Sequence, residues 1–284
     1  MTTPRPSTPI AEQAAPTIVL LGQPCGNTSL TAAILHDASV ELAAIILADS
    51  TATPAGQQLE PGRYSIYRAA TPRATRRFLE HIRPDLVIAA CYPWRLSRRS
   101  RAASRCGIMN IHPSPLPHGR GPDPVFWVYR NGERETGVTI HLMDDGLDTG
   151  PILAQQRWAV PDTMDAVSLE RHLFEVGAEM TAHLVAGVIT GAAHVLPQPD
   201  LAVTYQPAPT AHDWIISPLL PAAWAWRFAK GVEPLQGPLT VQTRGQLVPV
   251  RRAIAWDACG IPPDGRPAGT ITVQFQSGWV AFER

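Results

Sequence analysis

The sequence predicts an α/β protein in which an open, mostly parallel β-sheet is followed by a small β-rich C-terminal part. Short apolar runs that suit buried strands alternate with helical patterns through the first 200 residues, and this alternation is typical of βαβ units. Proline and glycine then become frequent between residues 197 and 210, and several short β-like runs follow. We therefore expect a disordered leader over residues 1–16, the main α/β domain over 17–200, and a β-rich domain over 201–284.

The first half of the α/β domain contains three predicted strands and two predicted helices. TIVLLG, VELAAIILAD and DLVIAACY are apolar runs with the length and composition of buried parallel strands. Helices are expected over residues 28–36 and 72–82, and the polar run STATPAGQQLEPGR (residues 50–63) is expected to be a loop. The turn GQPCGNTS lacks the G-x-G-x-x-G spacing, so the dinucleotide-binding fingerprint is absent.

The second half continues with strands and helices whose ends carry recognisable residues. GIMNIH (Gly107–His112) is a predicted strand, and Asp123 and Pro124 are typical of the N-cap and first position of a helix over PVFWVYR. GVTIHLM and ILAQQRWAV are predicted strands joined by the turn DDGLDTGP. Apolar residues recur at helical spacing over residues 164–190, and Gly191 ends that helix. Further strands are expected in LTVQTR, QLVPVRRAIAW, TITVQF and GWVAFE.

Composition excludes several classes of protein. The 284 residues carry 24 basic and 24 acidic side chains, so no global charge attracts nucleic acid or an anionic membrane. Lys230 is the single lysine, which disfavours Schiff-base chemistry and a lysine-dependent phosphate loop. Cys25, Cys91, Cys106 and Cys259 form no CxxC pair, so neither a zinc site nor a disulfide scaffold is indicated. Without a signal sequence or a long apolar run, we expect a cytoplasmic protein that does not bind membranes.

The stretch GIMNIHPSPLPHGRG is the first candidate for a chemical site. Asn110 and His112 are two residues apart on the predicted strand, so their side chains point to the same side. Ligands of open α/β sheets bind outside the carboxyl ends of strands, and the prolines that follow make a stiff loop there. An amide and an imidazole suit an oxyanion that forms when a nucleophile attacks a carbonyl carbon. The alternative is a bent strand end with purely structural side chains.

The glycine-flanked turn over residues 144–150 supplies carboxylates for such a site. A carboxylate close to His112 would raise the pKa of the imidazole and orient its ring. No serine or cysteine lies in an evident nucleophile elbow, so direct transfer between two bound substrates is favoured over a covalent intermediate. His112, His118 and Asp148 could also form a two-histidine, one-carboxylate metal site, but the proline loop between the histidines disfavours it. His141 alternates with apolar neighbours and is expected to be a packed or rim histidine.

Two long motifs in this region resemble a known family. N-I-H-P-S-P-L-P-x-x-R-G, followed by E-T-G-V-T-I-H-x-M-D-D-G-L-D-T-G-P-I, resembles the formyltransferases that use 10-formyltetrahydrofolate. That family includes methionyl-tRNA, glycinamide ribonucleotide and amino-sugar N-formyltransferases. The resemblance covers roughly residues 17–200 and continues weakly into TYQPAPTAHDWIISP. It implies a Rossmann-like formyltransferase domain with a partial OB-like C-terminal appendage.

The resemblance also implies roles for particular residues. The catalytic residues would be Asn110, His112 and Asp148, with no metal ion. The pterin of the folate cosubstrate would lie between the loop after DLVIAACY and the acidic turn, and the residues expected to bind it are Tyr92, Trp94, Leu96, Met143, Asp144, Asp145, Gly146 and Leu147. The acceptor would contact Ser114, Arg120 and Gly121, although Arg120 has the alternative role of capping its own loop.

Two departures from the tRNA-specific members guide the expected acceptor. Pro115 stands where those enzymes usually have leucine in S-L-L-P, and residues 50–63 lack the basic insertion that contacts the acceptor stem. We therefore expect a small-molecule amine in secondary metabolism or cell-surface biosynthesis, either an amino-sugar nucleotide or a side-chain amine such as that of N-hydroxyornithine. Methionyl-tRNA formylation is the first alternative, and nucleic acid is otherwise not expected as a partner. The other alternative functions are formyltetrahydrofolate hydrolysis and a non-catalytic module that binds folate or a partner. The expected oligomer is a homodimer.

Two further clusters leave alternatives open. Five arginines lie between residues 95 and 105, and such a run favours a solvated face over contact with an anionic substrate or an RNA backbone. Trp224, Trp226 and Phe228 are expected to pack the C-terminal part onto the main domain, and the alternative is a partner surface.

Overall fold

The computed structural model describes residues 15–48, 64–260 and 268–284. The predicted leader falls almost wholly outside these residues, and so does the predicted loop over residues 50–63. The main sheet contains seven strands in the order β3-β2-β1-β4-β5-β6-β7. They are β1 (Ile18–Gly22), β2 (Leu42–Ala48), β3 (Ser65–Ala69), β4 (Leu86–Ala90), β5 (Ile108–His112), β6 (Glu135–Leu142) and β7 (Ile152–Ala159).

The sheet is parallel through its first five strands and antiparallel at β6 and β7. This confirms the predicted open, mostly parallel α/β fold. Strands β1 and β4 are buried along their whole length, as expected for apolar strands covered on both faces. The edge strand β3, SIYRA, was not predicted, because its polar, largely exposed residues lack the apolar run that marks the central strands.

Helices cover both faces of the sheet. They are α1 (Gly26–Asp37), α2 (Pro72–Ile82), α3 (Arg98–Arg101), α4 (Pro124–Arg130) and α5 (Ala166–Thr190). Helix α1 packs against α5 on one face, and α2 packs against β2 and β3 on the other. The predicted boundaries of α2 and α5 are close to those observed, because both ends of each helix carry local signals. The side chains of Thr71 and Asp165 cap the first turns, and Gly191 ends α5 in the left-handed conformation.

Helix α5 is long and apolar enough, by length and composition, to cross a membrane, and it is the only helix in the described residues that meets this test. It also packs against β5 and β6 through a buried stripe that includes Leu169, Leu173, Gly177 and Thr181. A core helix of this kind passes the same test, so the finding is weak evidence for a membrane span.

The described residues of the C-terminal part form two three-stranded sheets, one α-helix and two short 3-10 helices. One sheet has the order β10-β9-β8 and the other β11-β13-β12, which confirms the predicted β-rich appendage. The strands are β8 (Ile215–Ile216), β9 (Thr240–Thr243), β10 (Gln246–Pro249), β11 (Arg252–Asp257), β12 (Thr270–Gln274) and β13 (Trp279–Glu283). The helix α6 (Ala222–Val232) was not predicted. The expected boundary near residue 200 stays a prediction.

Helix α6 joins the C-terminal part to the main sheet through aromatic contacts. Phe228 is fully buried and packs edge-on against Phe126 of α4, with ring centroids 5.8 Å apart. The indole nitrogen of Trp224 donates a hydrogen bond to the carbonyl of Arg130 at the end of α4. These two contacts confirm the expected packing role, whereas Trp226 stacks on Trp256 within the C-terminal part.

Candidate functional site

Strand β5 positions the two polar side chains of the first motif. Met109 and Ile111 are buried in the core, and Asn110 and His112 alternate with them on the strand. Asn110 and His112 both line a cleft of about 590 Å³ at the carboxyl end of the parallel strands. This is the position where open α/β sheets bind ligands. The alternation within one short strand therefore delivers an amide and an imidazole to the same cavity.

The proline loop after β5 is fixed by hydrogen bonds to β6. The Thr139 hydroxyl donates to the carbonyl of Ser114 at 2.7 Å and accepts from the backbone N–H of Leu116 at 3.1 Å. The Ser114 hydroxyl donates to the carbonyl of His118 at 2.8 Å. Ser114 is buried and does not line the cleft, so its side chain holds the loop together. The predicted contact between Ser114 and the acceptor has no support in this placement.

The other two predicted acceptor residues differ from each other. The Arg120 guanidinium donates to Oε1 of Gln198 at 3.1 and 2.6 Å and does not line the cleft. Of its two predicted roles, holding the loop is therefore the one that its contacts favour. Gly121 does line the cleft, and its backbone N–H donates to Oδ2 of Asp148 at 2.9 Å. This bond ties the end of the proline loop to the acidic turn.

Asp148 stands between two histidines. Its carboxylate oxygens lie 3.8 Å from Nδ1 of His112 and 3.7 Å from Nε2 of His141. Burial favours the neutral acid, but the two histidines and the Gly121 N–H outweigh it and lower the pKa of Asp148 to about 2. Asp148 is therefore a carboxylate at neutral pH. The three predicted catalytic residues meet in one cleft although His112 and Asp148 are far apart in the sequence.

His112 is held as a neutral imidazole with a defined tautomer. Its Nε2 lies 2.9 Å from the carbonyl oxygen of Gly119, and a carbonyl can only accept, so Nε2 carries the proton. Burial lowers the pKa of His112, while the nearby Asp148 charge opposes that shift. The free lone pair is therefore on Nδ1, the atom that faces Asp148. A proton taken up at Nδ1 would be stabilised by that carboxylate.

His141 is a site residue that sequence reasoning missed. It is buried, and it lies directly opposite Asn110 in the antiparallel pairing of β5 with β6. Its Nδ1 lies 3.1 Å from the carbonyl of Leu142, so Nε2 is free to accept a hydrogen bond from Nδ2 of Asn110, also at 3.1 Å. The interaction leaves the second amide hydrogen of Asn110 available. The expectation of a packed histidine was right about burial and incomplete about contacts.

The predicted pterin residues gather on one wall of the cleft, with one exception. Tyr92 and Trp94 meet edge to face, and Leu96 and Met143 pack with them in the core cluster on the α2 side of the sheet. Asp144, Gly146 and Leu147 also line the cleft. Asp145 does not, and this corrects its predicted role. Its carboxylate is 79% exposed and forms an ion pair with Arg101.

The five arginines between residues 95 and 105 differ in their contacts. Arg95 donates to the carbonyl of Asp145, and Arg101 pairs with the Asp145 carboxylate, so both hold the acidic turn and line the cleft. Arg98 and Arg99 are exposed, as a solvated face requires. Arg105 pairs with Asp85 at 2.6 Å, away from the cleft.

The end of the cleft opposite the apolar wall of Tyr92 and Trp94 contains residues that the sequence did not single out as functional. Asp123 occupies the N-cap position of α4, as predicted, but its side chain makes no cap hydrogen bond and lines the cleft instead. Glu170 projects from the second turn of α5 and accepts a hydrogen bond from Nδ2 of Asn27 at 3.2 Å. Burial, with smaller contributions from Cys25 and Asp123, raises the pKa of Glu170 to about 7. Further lining residues at this end are Gln23, Cys91, Phe174 and Tyr205.

The two-histidine, one-carboxylate arrangement of His112, His118 and Asp148 does not form. His118 is turned away from the other two, because its ring contacts the Glu133 carboxylate at 3.2 Å and the Thr204 hydroxyl at 2.9 Å. Within residues 15–48, 64–260 and 268–284, no group of three or more His, Cys, Asp or Glu side chains is arranged to hold a metal ion.

Comparisons with known proteins identify the family. The model of the formyl transferase family matches residues 43–185. The chain is 31% identical to the methionyl-tRNA formyltransferase of Roseiflexus castenholzii over 261 residues, which cover 87% of the chain and 83% of that relative. These findings confirm the resemblance in the two motifs. The chain belongs to the formyl transferase family.

Solved structures share the fold. An N-formyltransferase from Helicobacter canadensis, in complex with folinic acid and dTDP-3-aminofucose, aligns with a TM-score of 0.68 at 11% identity and covers 95% of this chain and 99% of that one. HypX from Aquifex aeolicus aligns with a TM-score of 0.67 at 18% identity and covers 94% of this chain and 44% of that one. At such low identity the likeness concerns the fold alone.

Proposed function

We propose that this formyl transferase moves the formyl group of 10-formyltetrahydrofolate to the amine of a small-molecule acceptor. The observation that carries the proposal is the convergence of Asn110, His112 and Asp148 in one cleft, with a neutral His112 and an ionised Asp148. Cytoplasmic location, a homodimer, and a role in secondary metabolism or cell-surface biosynthesis belong to the same proposal. The folinic acid in the Helicobacter canadensis complex supports a folate cosubstrate.

The cleft suits two ligands that meet at β5. Tyr92, Trp94, Leu96 and Met143 form an apolar wall on the α2 side, which fits the flat pterin ring of a folate. The other end is bounded by the β1–α1 loop and by the starts of α4 and α5, which leaves it for the acceptor. Because Asn110 and His112 lie between these ends, the formyl carbon and the amine would meet beside them.

The residues act on the proton and on the developing charge. 10-Formyltetrahydrofolate supplies the formyl carbon, and the acceptor amine forms a C–N bond to it as the carbonyl oxygen becomes an oxyanion. Asn110 donates its second amide hydrogen to that oxyanion, since the first is held by His141. His112 takes the amine proton at Nδ1 and returns it to N10 as the C–N10 bond breaks. Asp148 stabilises the imidazolium in between.

Methionyl-tRNA formylation is the second candidate function, favoured by the relatives at about 30% identity that carry that name. A polyanion such as tRNA requires basic contacts, and its binding weakens steeply with salt. The arginines that line the described cleft, Arg95 and Arg101, are both engaged with Asp145.

Mass spectrometry with a defined panel tests the proposal. The protein is incubated with 10-formyltetrahydrofolate and, separately, with amino-sugar nucleotides, side-chain amines, methionyl-tRNA and no acceptor. We expect a mass increase of one CO on a small-molecule amine, and no increase with the Asn110→Ala variant. Formylation of methionyl-tRNA alone would establish the second candidate. Formate release in every sample, without an acceptor product, would identify a hydrolase, and no consumption of the folate would indicate a binding module.

A further inference from the structure

We propose that Glu170 and Asp123 recognise positive charge on the acceptor, so that the enzyme selects cationic aliphatic amines without phosphate over nucleotide-linked amines. This inference rests on the proposed function and narrows its substrate class. Both carboxylates line the end of the cleft opposite the apolar wall of Tyr92 and Trp94. They belong to different elements, the start of α4 and the second turn of α5, so the tertiary fold brings them together.

Glu170 is held in a fixed place without a cationic partner. The amide of Asn27, in the first turn of α1, donates to its Oε2 at 3.2 Å, which orients the carboxylate but brings no charge. Neither Glu170 nor Asp123 forms an ion pair with any described residue. Asp123 is at the N-cap position of α4, but its side chain forms no N-cap hydrogen bond. Two carboxyl groups therefore face the cleft without a cationic partner among the described residues.

The energetic consequence favours a cation in this end of the cleft. Burial raises the pKa of both groups, and at Glu170 repulsion from Cys25 and then from Asp123 adds to the shift. Glu170 is half-buried whereas Asp123 is exposed at the cleft surface, so the cost of a carboxylate without a counter-ion falls mainly on Glu170, and a bound ammonium group would supply the missing charge. The protein satisfies a carboxylate differently at Asp148, whose Oδ2 accepts a hydrogen bond from the backbone N–H of Gly121. Glu170 and Asp123 lack such partners among the described residues.

Among the described residues that line this end of the cleft, none is an arginine or a lysine that could pair with a phosphate. Anion sites in proteins are built from arginine, lysine or clustered backbone N–H donors. Arg95 and Arg101 line the cleft but are hydrogen-bonded to Asp145, and Arg120 is hydrogen-bonded to Gln198. A diphosphate beside this pair would be repelled by the charge of Asp123 and by Glu170 in its ionised form. Charge repulsion would therefore disfavour nucleotide-linked amines, in addition to the attraction that favours cationic ones.

A substrate comparison across matched variants tests the inference. The probes are putrescine, ornithine and a dTDP-linked amino sugar, each with 10-formyltetrahydrofolate, and the variants are Glu170→Gln and Asp123→Asn. We expect the unaltered protein to prefer putrescine or ornithine in kcat/KM by at least about tenfold over the dTDP-linked sugar. In each variant, kcat/KM for the cationic amines should fall about tenfold, mainly through a higher KM. The ratio of kcat/KM between the cationic amines and the dTDP-linked sugar should therefore decrease. Glu175→Gln is the control, since Glu175 is exposed on the same helix and outside the cleft lining.

A binding measurement separates this inference from the proposed function. Putrescine should raise the Tm of the protein in the presence of folinic acid, and Glu170→Gln should abolish that shift while Glu175→Gln keeps it. Preference for the dTDP-linked amine, or identical behaviour of the Glu170 and Glu175 variants, would overturn the inference and leave the formyltransferase proposal intact. Failure of every acceptor with a putrescine-dependent Tm shift still present would overturn the proposed function instead.

Discussion

Asn110 and His141 face each other across the pairing of β5 with β6, and Nδ2 of the amide lies 3.1 Å from Nε2 of the imidazole. The tautomer of His141 is set by its own contact with the carbonyl of Leu142. The amide of Asn110 is thereby oriented with one hydrogen held and the other free. Orientation of the donor before reaction strengthens oxyanion stabilisation, so we expect His141 to act through Asn110.

Replacement of His141 should lower turnover by releasing Asn110. We expect His141→Ala to reduce kcat by about tenfold to a hundredfold with little change in KM for the folate, because the oxyanion donor is present but misoriented. His141→Gln should recover part of kcat, since a glutamine carbonyl can accept the same N–H. Steady-state kinetics on the acceptor found in the panel would measure both. The exposed His183 provides the control variant, and equal kcat for His141→Ala and His183→Ala would contradict the assignment.

Removal of any proposed catalytic side chain should have a larger effect. Asn110→Ala, His112→Ala and Asp148→Ala are each expected to lower turnover by at least about a hundredfold, the scale of a lost oxyanion donor. Circular dichroism would establish that each variant folds. Near-normal rates in all three folded variants would refute the site.

The pH dependence of His112 follows from its surroundings. Burial lowers its pKa below the ordinary 6.5, against the opposing effect of Asp148, so the neutral imidazole persists to lower pH. We expect kcat to fall as the pH drops through a midpoint below 6.5. Asp148→Asn removes the charge that raises the pKa and should move the midpoint lower still. NMR titration of the His112 ring reports this without turnover, and a midpoint that rises in Asp148→Asn would contradict the argument.

Asp148 should also contribute to stability in a defined pH range. Its pKa falls from 3.8 to about 2 on folding, so the carboxylate contributes stability above the unfolded value that is lost as the pH falls from about 4 to about 2. The contribution is on the order of 2 kcal/mol. Urea unfolding at about pH 6, which is above the window, and at about pH 2.5, which is near its lower end, would compare the protein with Asp148→Asn. The unaltered protein should lose more stability on acidification than the variant, and equal losses would be inconsistent with the shift.

Gly177 allows α5 to lie close to the strand that carries the site. A Cβ there would lie 2.5 Å from Cγ2 of Ile111 and 2.9 Å from Cγ2 of Val138, closer than side chains approach each other. Gly177→Ala should therefore lower the free energy of unfolding by about 1–3 kcal/mol and reduce kcat, because Ile111 lies between Asn110 and His112. Gly187→Ala, in the same helix, is the matched control. A Cβ at Gly187 would meet atoms of Ala193 at ordinary contact distances of 3.5 and 3.6 Å. That variant should gain up to about 1 kcal/mol from helix propensity.

Much of the fold follows from local signals in the sequence. The buried strands β1, β2, β4 and β5 are short apolar runs, and the ends of α2 and α5 carry capping residues or glycine, so hydrophobicity and turn chemistry were sufficient. Strand β3 and helix α6 were missed for the opposite reason. The first is an exposed edge strand, and the second forms a run of alanine and aromatic residues whose burial against α4 is a long-range contact.

The sequence by itself was sufficient to identify the family, because two motifs with the spacing of that family lie on short stretches of chain. The expected convergence of Asn110, His112 and Asp148 followed from that resemblance. Three features came only from the tertiary structure. His141 is hydrogen-bonded to Asn110, and Asp145 pairs with Arg101 and does not line the cleft. Glu170 and Asp123 do line the cleft. Strand register, burial and unpaired charge depend on which distant segments pack together. No local pattern of residues encodes those three quantities.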